Sequence, residues 1–220
     1  MAKKKQFAVI GMGRFGSSIA KSLSTLGLEV LAIDKDETMI QEIANHVTHA
    51  VQADSTDEEA VKSLGIRNFD VVVVAIGQDI QSSILTTLIL KDLGVESLIV
   101  KAQNELHGKV LKKIGADKVI FPERDMGFRV ANHLISPNIL DYIELTDGYS
   151  IAELKSSSAM IGKNLRQLNI RAKFRCNVLA IKAGQKINIA PSPDDTIREE
   201  DMLVVVGRTD DLHALEHAFS

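Results

Sequence analysis

With 220 residues, a net charge of −3 and 45% hydrophobic content, the chain can bury one large core or two modest ones. It carries no global basic field to attract nucleic acid or anionic lipid. A single cysteine, Cys176, excludes an intramolecular disulfide framework and fits a reducing cytoplasm; it precedes strand-like residues and reads as a core residue, not a nucleophile.

The basic start, "MAKKKQ", reads as a solvated tail, because a strand follows it rather than the apolar stretch and cleavage site of a signal peptide. Strands are then predicted at "QFAVIG" from Gln6, "EVLAID" from Glu29, "THAVQA" from Thr48, "DVVVVAI" from Asp70, "SLIVKA" from Ser97 and "KVIFP" from Lys118. Helical patterns over Arg14–Leu26, Glu37–Ala44, Asp57–Leu64, Asp79–Leu93 and Glu105–Ile114 separate them. Continuous Val/Ile runs indicate strands buried on both faces, which means a parallel sheet covered by helices. The first domain is therefore predicted as α/β, a doubly wound Rossmann-type sheet over residues 1–122. "VVVVAIG" is its longest apolar run, far too short to cross a bilayer, so a membrane role must come through a partner.

A helix-like stretch from Glu123, bounded by Pro122 and Pro137, has no strand to return to and reads as a connector, 123–137. From Asn138 the texture changes to short segments, "ILDYIELT", "SIAELKS", "NVLAIKA", "KINIA" and "DMLVVVG", between Gly- and Pro-containing turns. These predict a small antiparallel sheet in an α+β domain, 138–220. The final "DDLHALEHAF" sets Leu212, Leu215 and Phe219 at helical spacing, as a helix covering that sheet.

Gly11, Gly13 and Gly16 form G-x-G-x-x-G in the context that gives the pattern meaning, after a strand and opening a helix. Gly11 permits a tight turn, Gly13 lets phosphate approach the backbone, and Gly16 lets helix pack on strand. Asp34 closes the second strand 18 residues past Gly16, where a carboxylate can accept from ribose hydroxyls. It disfavours a 2′-phosphate, leaving NAD or an ATP-type nucleotide. Arg14 can reach the phosphates, or it can simply be a surface residue starting a helix. Asp54–Ser55, Ile76–Gly77–Gln78 and Lys101 lie at carboxyl ends of strands, where ligands of such sheets bind, although each also suits ordinary loop chemistry.

Nothing in the pattern supplies an enzyme's machinery. At the Tyr-x-x-x-Lys spacing, Thr146 follows Tyr142 and Glu153 follows Tyr149. No HExxH, GxSxG or P-loop GK[ST] is present, and no DNA-reading module. A nucleotide-binding domain joined to a small second domain suits a regulator; an NAD-dependent oxidoreductase or NAD(H) redox sensor is the alternative.

"FAVIGMGRFGSSIAKSLSTLGLEVLAIDKD", "VKAQNELHGKVLKKIGADKVIFPERDMG" and "LRQLNIRAKFRCNVLAIK…PSPDDTIREEDMLVVVG" closely resemble the regulator-of-potassium-conductance (RCK, or KTN/TrkA) family. Within it the chain is most similar to the cytosolic gating subunits of bacterial Ktr uptake systems, the KtrA/KtrC type. The resemblance implies an RCK-N and an RCK-C domain, and a homodimer that assembles into a homo-octameric ring. That ring would lie on the cytoplasmic face beneath an integral membrane potassium-translocating subunit of the KtrB/KtrD kind, with ATP activating and ADP inactivating. It further implies that Gly11, Gly13, Arg14, Phe15 and Gly16 hold phosphates and that Asp34, Lys35 and Asp36 surround the ribose. Asp54, Ser55, Ile76, Gly77, Gln78, Lys101, Ala102, Gln103 and His107 would line the rest. Glu123 would help bind Mg, Ca or Na beside the phosphates at a dimer interface; from the residues alone it reads as a helix-start carboxylate favoured by the dipole. In RCK-C, cyclic di-AMP would inhibit, with Arg171 on its phosphate, Ile170, Ala172 and Asn177 around the base, and Pro191 or Pro193 closing the pocket. Composition alone makes Arg171 a surface charge.

Overall fold

The computed structural model describes residues 5–135, 139–146 and 148–219. The basic start before Lys5, and Pro137 and Asn138 at the expected connector boundary, lie outside them. The chain divides into two compact units between Glu123 and Arg124.

In the first unit, strands β1 (Gln6–Ile10), β2 (Glu29–Asp34), β3 (His49–Gln52), β4 (Val71–Val74), β5 (Leu98–Lys101) and β6 (Lys118–Ile120) form a parallel sheet. Its order is β3-β2-β1-β4-β5-β6, so the direction of winding reverses between β1 and β4. That reversal opens a crevice at the carboxyl ends of those two strands. Successive strand residues enter opposite cores: Ala8, Ile10, Val72 and Val74 pack on one face, Val9 and Val73 on the other. Burial on both faces is why the sequence reads as unbroken aliphatic runs.

Helices α1 (Arg14–Thr25), α2 (Glu37–Ala44), α3 (Glu58–Ser63), α4 (Ile80–Asp92) and α5 (Glu105–Lys113) connect these strands. Asp57 and Asp79, read from sequence as first helical residues, instead stand just outside their helices. Each keeps an extended backbone while its carboxylate accepts from first-turn amides. The third strand stops short of Thr48, whose hydroxyl accepts from the Val30 amide at 3.0 Å. A sixth helix, α6 (Pro122–Ile135), starts on its proline, where a missing N–H costs nothing.

The second unit has an antiparallel sheet in the order β10-β9-β11-β8-β7. Its strands are β7 (Ile139–Thr146), β8 (Tyr149–Lys155), β9 (Asn177–Ala183), β10 (Lys186–Asn188) and β11 (Met202–Arg208). Buried and less buried residues alternate along β8 and β11, as expected of a sheet with one covered face. Helix α9 (Thr209–Phe219) covers it through Leu212 and Leu215, and the Phe219 ring meets Phe174 at 5.8 Å. Two short helices absent from the sequence reading, α7 (Leu165–Leu168) and α8 (Ile170–Phe174), complete this core. Cys176 is fully buried there, and loss of solvent pushes its thiol up to about 11, so it stays protonated and unreactive.

Candidate functional site

The glycine loop is built by backbone constraints. Gly11 has φ +93°, in the left-handed region, and its amide donates to the Ile33 carbonyl at 2.8 Å. A Cβ on Gly16 would overlap the Gly11 carbonyl oxygen, so only glycine lets α1 leave β1 this tightly. Gly13 is different: a Cβ there would meet nothing within 4 Å, which leaves the space above it open to a ligand. The Ser17 hydroxyl ties the turn by donating to the Met12 carbonyl at 2.7 Å.

The capping pattern separates α1 from its neighbours. Asp36 caps α2, Asp57 caps α3, Asp79 caps α4 and Asn104 caps α5 with side-chain oxygens. Helix α1 opens on Gly13 with no side-chain acceptor on its first-turn amides. Those amides and the positive end of the helix dipole face the crevice unneutralised, an arrangement suited to phosphate oxygens.

Asp34 does more than wait for a ribose. Its Oδ2 accepts from the Met12 amide at 2.5 Å and its Oδ1 from the Asp36 amide at 2.9 Å, so it pins the glycine loop to the end of β2. A carboxylate has lone pairs beyond these two, so a ribose hydroxyl can still be accepted. Lys35 is exposed beside it, and Asp36 is committed to capping through the Thr38 amide at 2.8 Å. Asp54 is exposed, with its carboxyl held below the usual range first by the Thr56 hydroxyl and then by the Thr56 amide. Ser55 is turned inward: it is buried, and its hydroxyl shares a 2.8 Å hydrogen bond with Thr86 of α4. Sequence reasoning had no means of finding Thr86, which lies mid-helix.

Across the crevice, Ile76 and Gly77 are half-buried and Gln78 is exposed. Lys101, at the end of β5, is buried, and its Nζ donates to Glu123 Oε1 at 2.5 Å. The same ammonium lies 5.6 Å from the Phe15 ring centroid. Arg14 is exposed. The Glu123 carboxyl is held below its ordinary value, first by the Lys101 hydrogen bond and weakly by the Arg14 charge. Thus the structure brings Arg14, Phe15, Gly77, Lys101 and Glu123 to one side of the loop. The sequence named Arg14, Gly77 and Lys101 by position and Phe15 and Glu123 through the family resemblance, without showing that Lys101 and Glu123 pair.

Ala102 is buried, its amide committed to the Ile120 carbonyl at 2.9 Å. Gln103 is exposed, and its amide donates to His107 Nδ1 at 3.3 Å. His107 is buried with no partner on Nε2, and desolvation lowers its pKa.

In the second unit, Arg171, Ala172 and Asn177 are exposed at α8 and the start of β9, whereas the Ile170 side chain is buried in the core. The loop holding Pro191 and Pro193 is fastened to α7: the Arg166 amide donates to the Pro193 carbonyl at 2.8 Å. The Arg166 guanidinium pairs twice with Asp194, at 3.1 and 3.2 Å.

A parallel sheet with an uncapped glycine cradle at its switch point, followed by a small antiparallel unit, defines a two-domain protein of the nucleotide-binding Rossmann class. The TrkA-N domain model matches residues 7–122 and the TrkA-C domain model residues 149–220, and the chain belongs to this family, the RCK proteins. It is 52% identical to the Ktr system potassium uptake protein C of Bacillus subtilis, over 97% of this chain and 96% of that one. It is 51% identical to the Ktr system potassium uptake protein A of the same organism, over 98% and 97% of the two chains. A crystal structure of the GsuK RCK domain shares the fold, with a TM-score of 0.66 at 16% identity; it covers all of this chain, which spans 48% of the length of that one. Among the described residues no helix is long and apolar enough to cross a membrane.

Proposed function

We propose that the chain is a regulatory subunit of Ktr-type potassium uptake that reads the phosphate content of a nucleotide bound on the glycine loop. The observation that carries this reading is the uncapped first turn of α1, open above Gly13, with the Arg14 and Lys101 cations beside it. Near-full-length likeness to two potassium uptake proteins supplies the process being regulated.

ATP and ADP differ by one phosphate, so they can bias a conformational equilibrium only through groups that distinguish that phosphate. Arg14 and Glu123 are those groups, with ATP favouring the conducting state and ADP the inactive one. The described residues hold no group of three or more His, Cys, Asp or Glu able to bind a metal. A Mg, Ca or Na ion at Glu123 would draw its other ligands from phosphate oxygens, waters and, at a dimer interface, a second copy of the chain. The assembly in this reading is a homodimer closing into an octameric ring on the cytoplasmic face of a membrane potassium-translocating subunit, in keeping with the likeness to Ktr system proteins. Exposed Arg171, with Asn177, Ala172 and the loop of Pro191 and Pro193, serves as the inhibitory cyclic di-AMP site. Buried Ile170 supports its base from beneath.

Purified chain is expected to rise in melting temperature with ATP and ADP and to respond little to NADH, and potassium flux through the reconstituted membrane subunit is expected to be higher with ATP than with ADP. Stabilisation by NADH alone, or hydride transfer above background, favours the redox reading and defeats this one.

A further inference from the structure

The cyclic dinucleotide site read in the second unit consists of two pieces: Arg171 and Ala172 on α8, and the loop of Pro191 and Pro193 that follows β10. Both pieces are anchored on α7. Asn169, in left-handed backbone with φ 51°, ends α7 and immediately precedes α8, so α7 is covalently tied to the Arg171 piece. The loop is tied to the same helix by hydrogen bonds. The first-turn amides of Leu165 and Arg166 donate to the carbonyls of Asp195 at 3.2 Å and Pro193 at 2.8 Å, which gives partners to N–H groups that a helix start leaves unpaired. Asn164, the residue that caps α7, forms a β-bridge with Thr196.

The two adjacent carboxylates of this loop do different things. Asp195 holds the loop's own shape: its Oδ2 accepts from the Ser192 amide and from the Asn188 side-chain amide, both at 2.8 Å. The Asp194 carboxylate instead leaves the loop, and its two oxygens accept from Nε and an Nη of Arg166 at 3.1 and 3.2 Å. The two side chains are 67% and 68% exposed, so the pair adds little to folding, and main-chain bonds already hold the loop against α7. What a two-point fork adds is orientation, because it restricts rotation as well as distance. Asp194 directly follows Pro193, whose ring fixes one backbone angle, so fixing the Asp194 carboxylate also fixes the setting of that proline.

We propose that Arg166 is a positioning residue for the cyclic dinucleotide site: its fork on Asp194 presets the Pro191–Pro193 loop relative to Arg171, so that a ligand touching both pieces meets them already in place. The pair therefore acts on inhibitor affinity and not on the fold. The inference rests on the cyclic di-AMP reading above and adds to it a residue that regulates that site without touching the ligand.

Calorimetry of the full chain with cyclic di-AMP, beside its melting temperature, tests this. Arg166→Gln and Asp194→Asn are each expected to bind the dinucleotide about fivefold more weakly, the cost of ordering a loop that wild type holds in place. The double variant is expected to be no weaker than either single one, because the first change already releases the loop. Melting temperature without ligand should move by less than about 3 °C in all three variants. Wild-type protein that does not bind cyclic di-AMP overturns the site reading and the positioning role together. Where wild type binds, the positioning role alone is overturned by unchanged affinity in the single variants, or by additive losses in the double one. It is equally overturned by a loss in Arg166→Gln with none in Asp194→Asn, which makes the guanidinium a direct ligand contact, and by a melting temperature that falls in step with affinity, which makes the pair part of the fold.

Discussion

The two units solve the same burial problem in different ways. The parallel sheet is covered on both faces, and its strands end in loops whose geometry is set by the main chain around Gly11, Gly13 and Gly16. The antiparallel sheet is covered on one face, and its candidate ligand residues sit on α8, at the start of β9 and on the loop of Pro191 and Pro193. A site made of backbone amides tolerates no error in glycine placement. A site made of exposed side chains tolerates much change in chemistry without loss of fold.

Gly16→Ala puts the sharpest strain on that contrast. The added methyl falls on the Gly11 carbonyl, main chain that cannot rotate away, so α1 must separate from β1. A loss of about 3 kcal/mol is expected in urea unfolding, with nucleotide binding abolished. Gly13→Ala, three residues earlier in the same motif, has open space and φ −63°. Its stability cost should stay below about 1 kcal/mol while nucleotide affinity falls about tenfold. Equal stability losses for the two variants would remove the distinction between packing glycine and ligand glycine.

The corresponding test in the second unit is Gly207. A Cβ there would lie 2.6 Å from Cys176 Sγ, a side-chain atom rather than main chain. Gly207→Ala is expected to cost about 2 kcal/mol, and Cys176→Ala in the same chain to recover about half of that. Recovery by a neighbouring truncation is what the first unit cannot offer at Gly16. An additive double variant would mean that the strain at Gly207 lies in the backbone after all.

These contrasts also explain what could be read from the sequence. All six parallel strands and their helices were legible, because double-sided burial writes continuous aliphatic runs and glycine spacing encodes a turn of fixed geometry. Apart from a missed single-turn 3-10 helix, Ile66–Asn68, errors lay at ends: Asp57 and Asp79 were drawn into helices that they cap from outside. Helices α7 and α8 were missed because four- and five-residue helices carry no periodic signal. The local signals were present, in the Asn164–Gln167 capping box and in Asn169 and Arg175, with φ of 51° and 55°, which stop each helix. Around the glycine loop, the residues were legible but their pairings were not. That Asp34 holds the Met12 amide, Ser55 the Thr86 hydroxyl and Lys101 the Glu123 carboxylate depends on chain crossings that spacing does not encode.

His107 gives the smallest effect and tests the first unit from a direction unrelated to glycine. Its Nδ1 accepts from the Gln103 amide, which places the ring proton on Nε2, a buried donor without a partner. Adding a second proton would charge a ring that burial disfavours and convert Nδ1 into a donor facing another donor. Burial lowers the folded-state pKa below the unfolded value of about 6.5. Below that pH the unfolded chain binds more protons than the folded one, so stability is full near pH 7.5 and declines as pH falls toward 5.5. The carboxyl groups with lowered values, Asp54, Asp79, Asp117 and Glu123, titrate in a more acidic window and leave this slope unmixed. The urea midpoint should decrease across that range in wild type and flatten in His107→Asn, which keeps an acceptor for Gln103 and does not titrate. Nucleotide affinity should follow the same slope, because the Gln103 amide is released at the carboxyl end of β5, two residues from the Lys101 ammonium proposed to lie beside the phosphates.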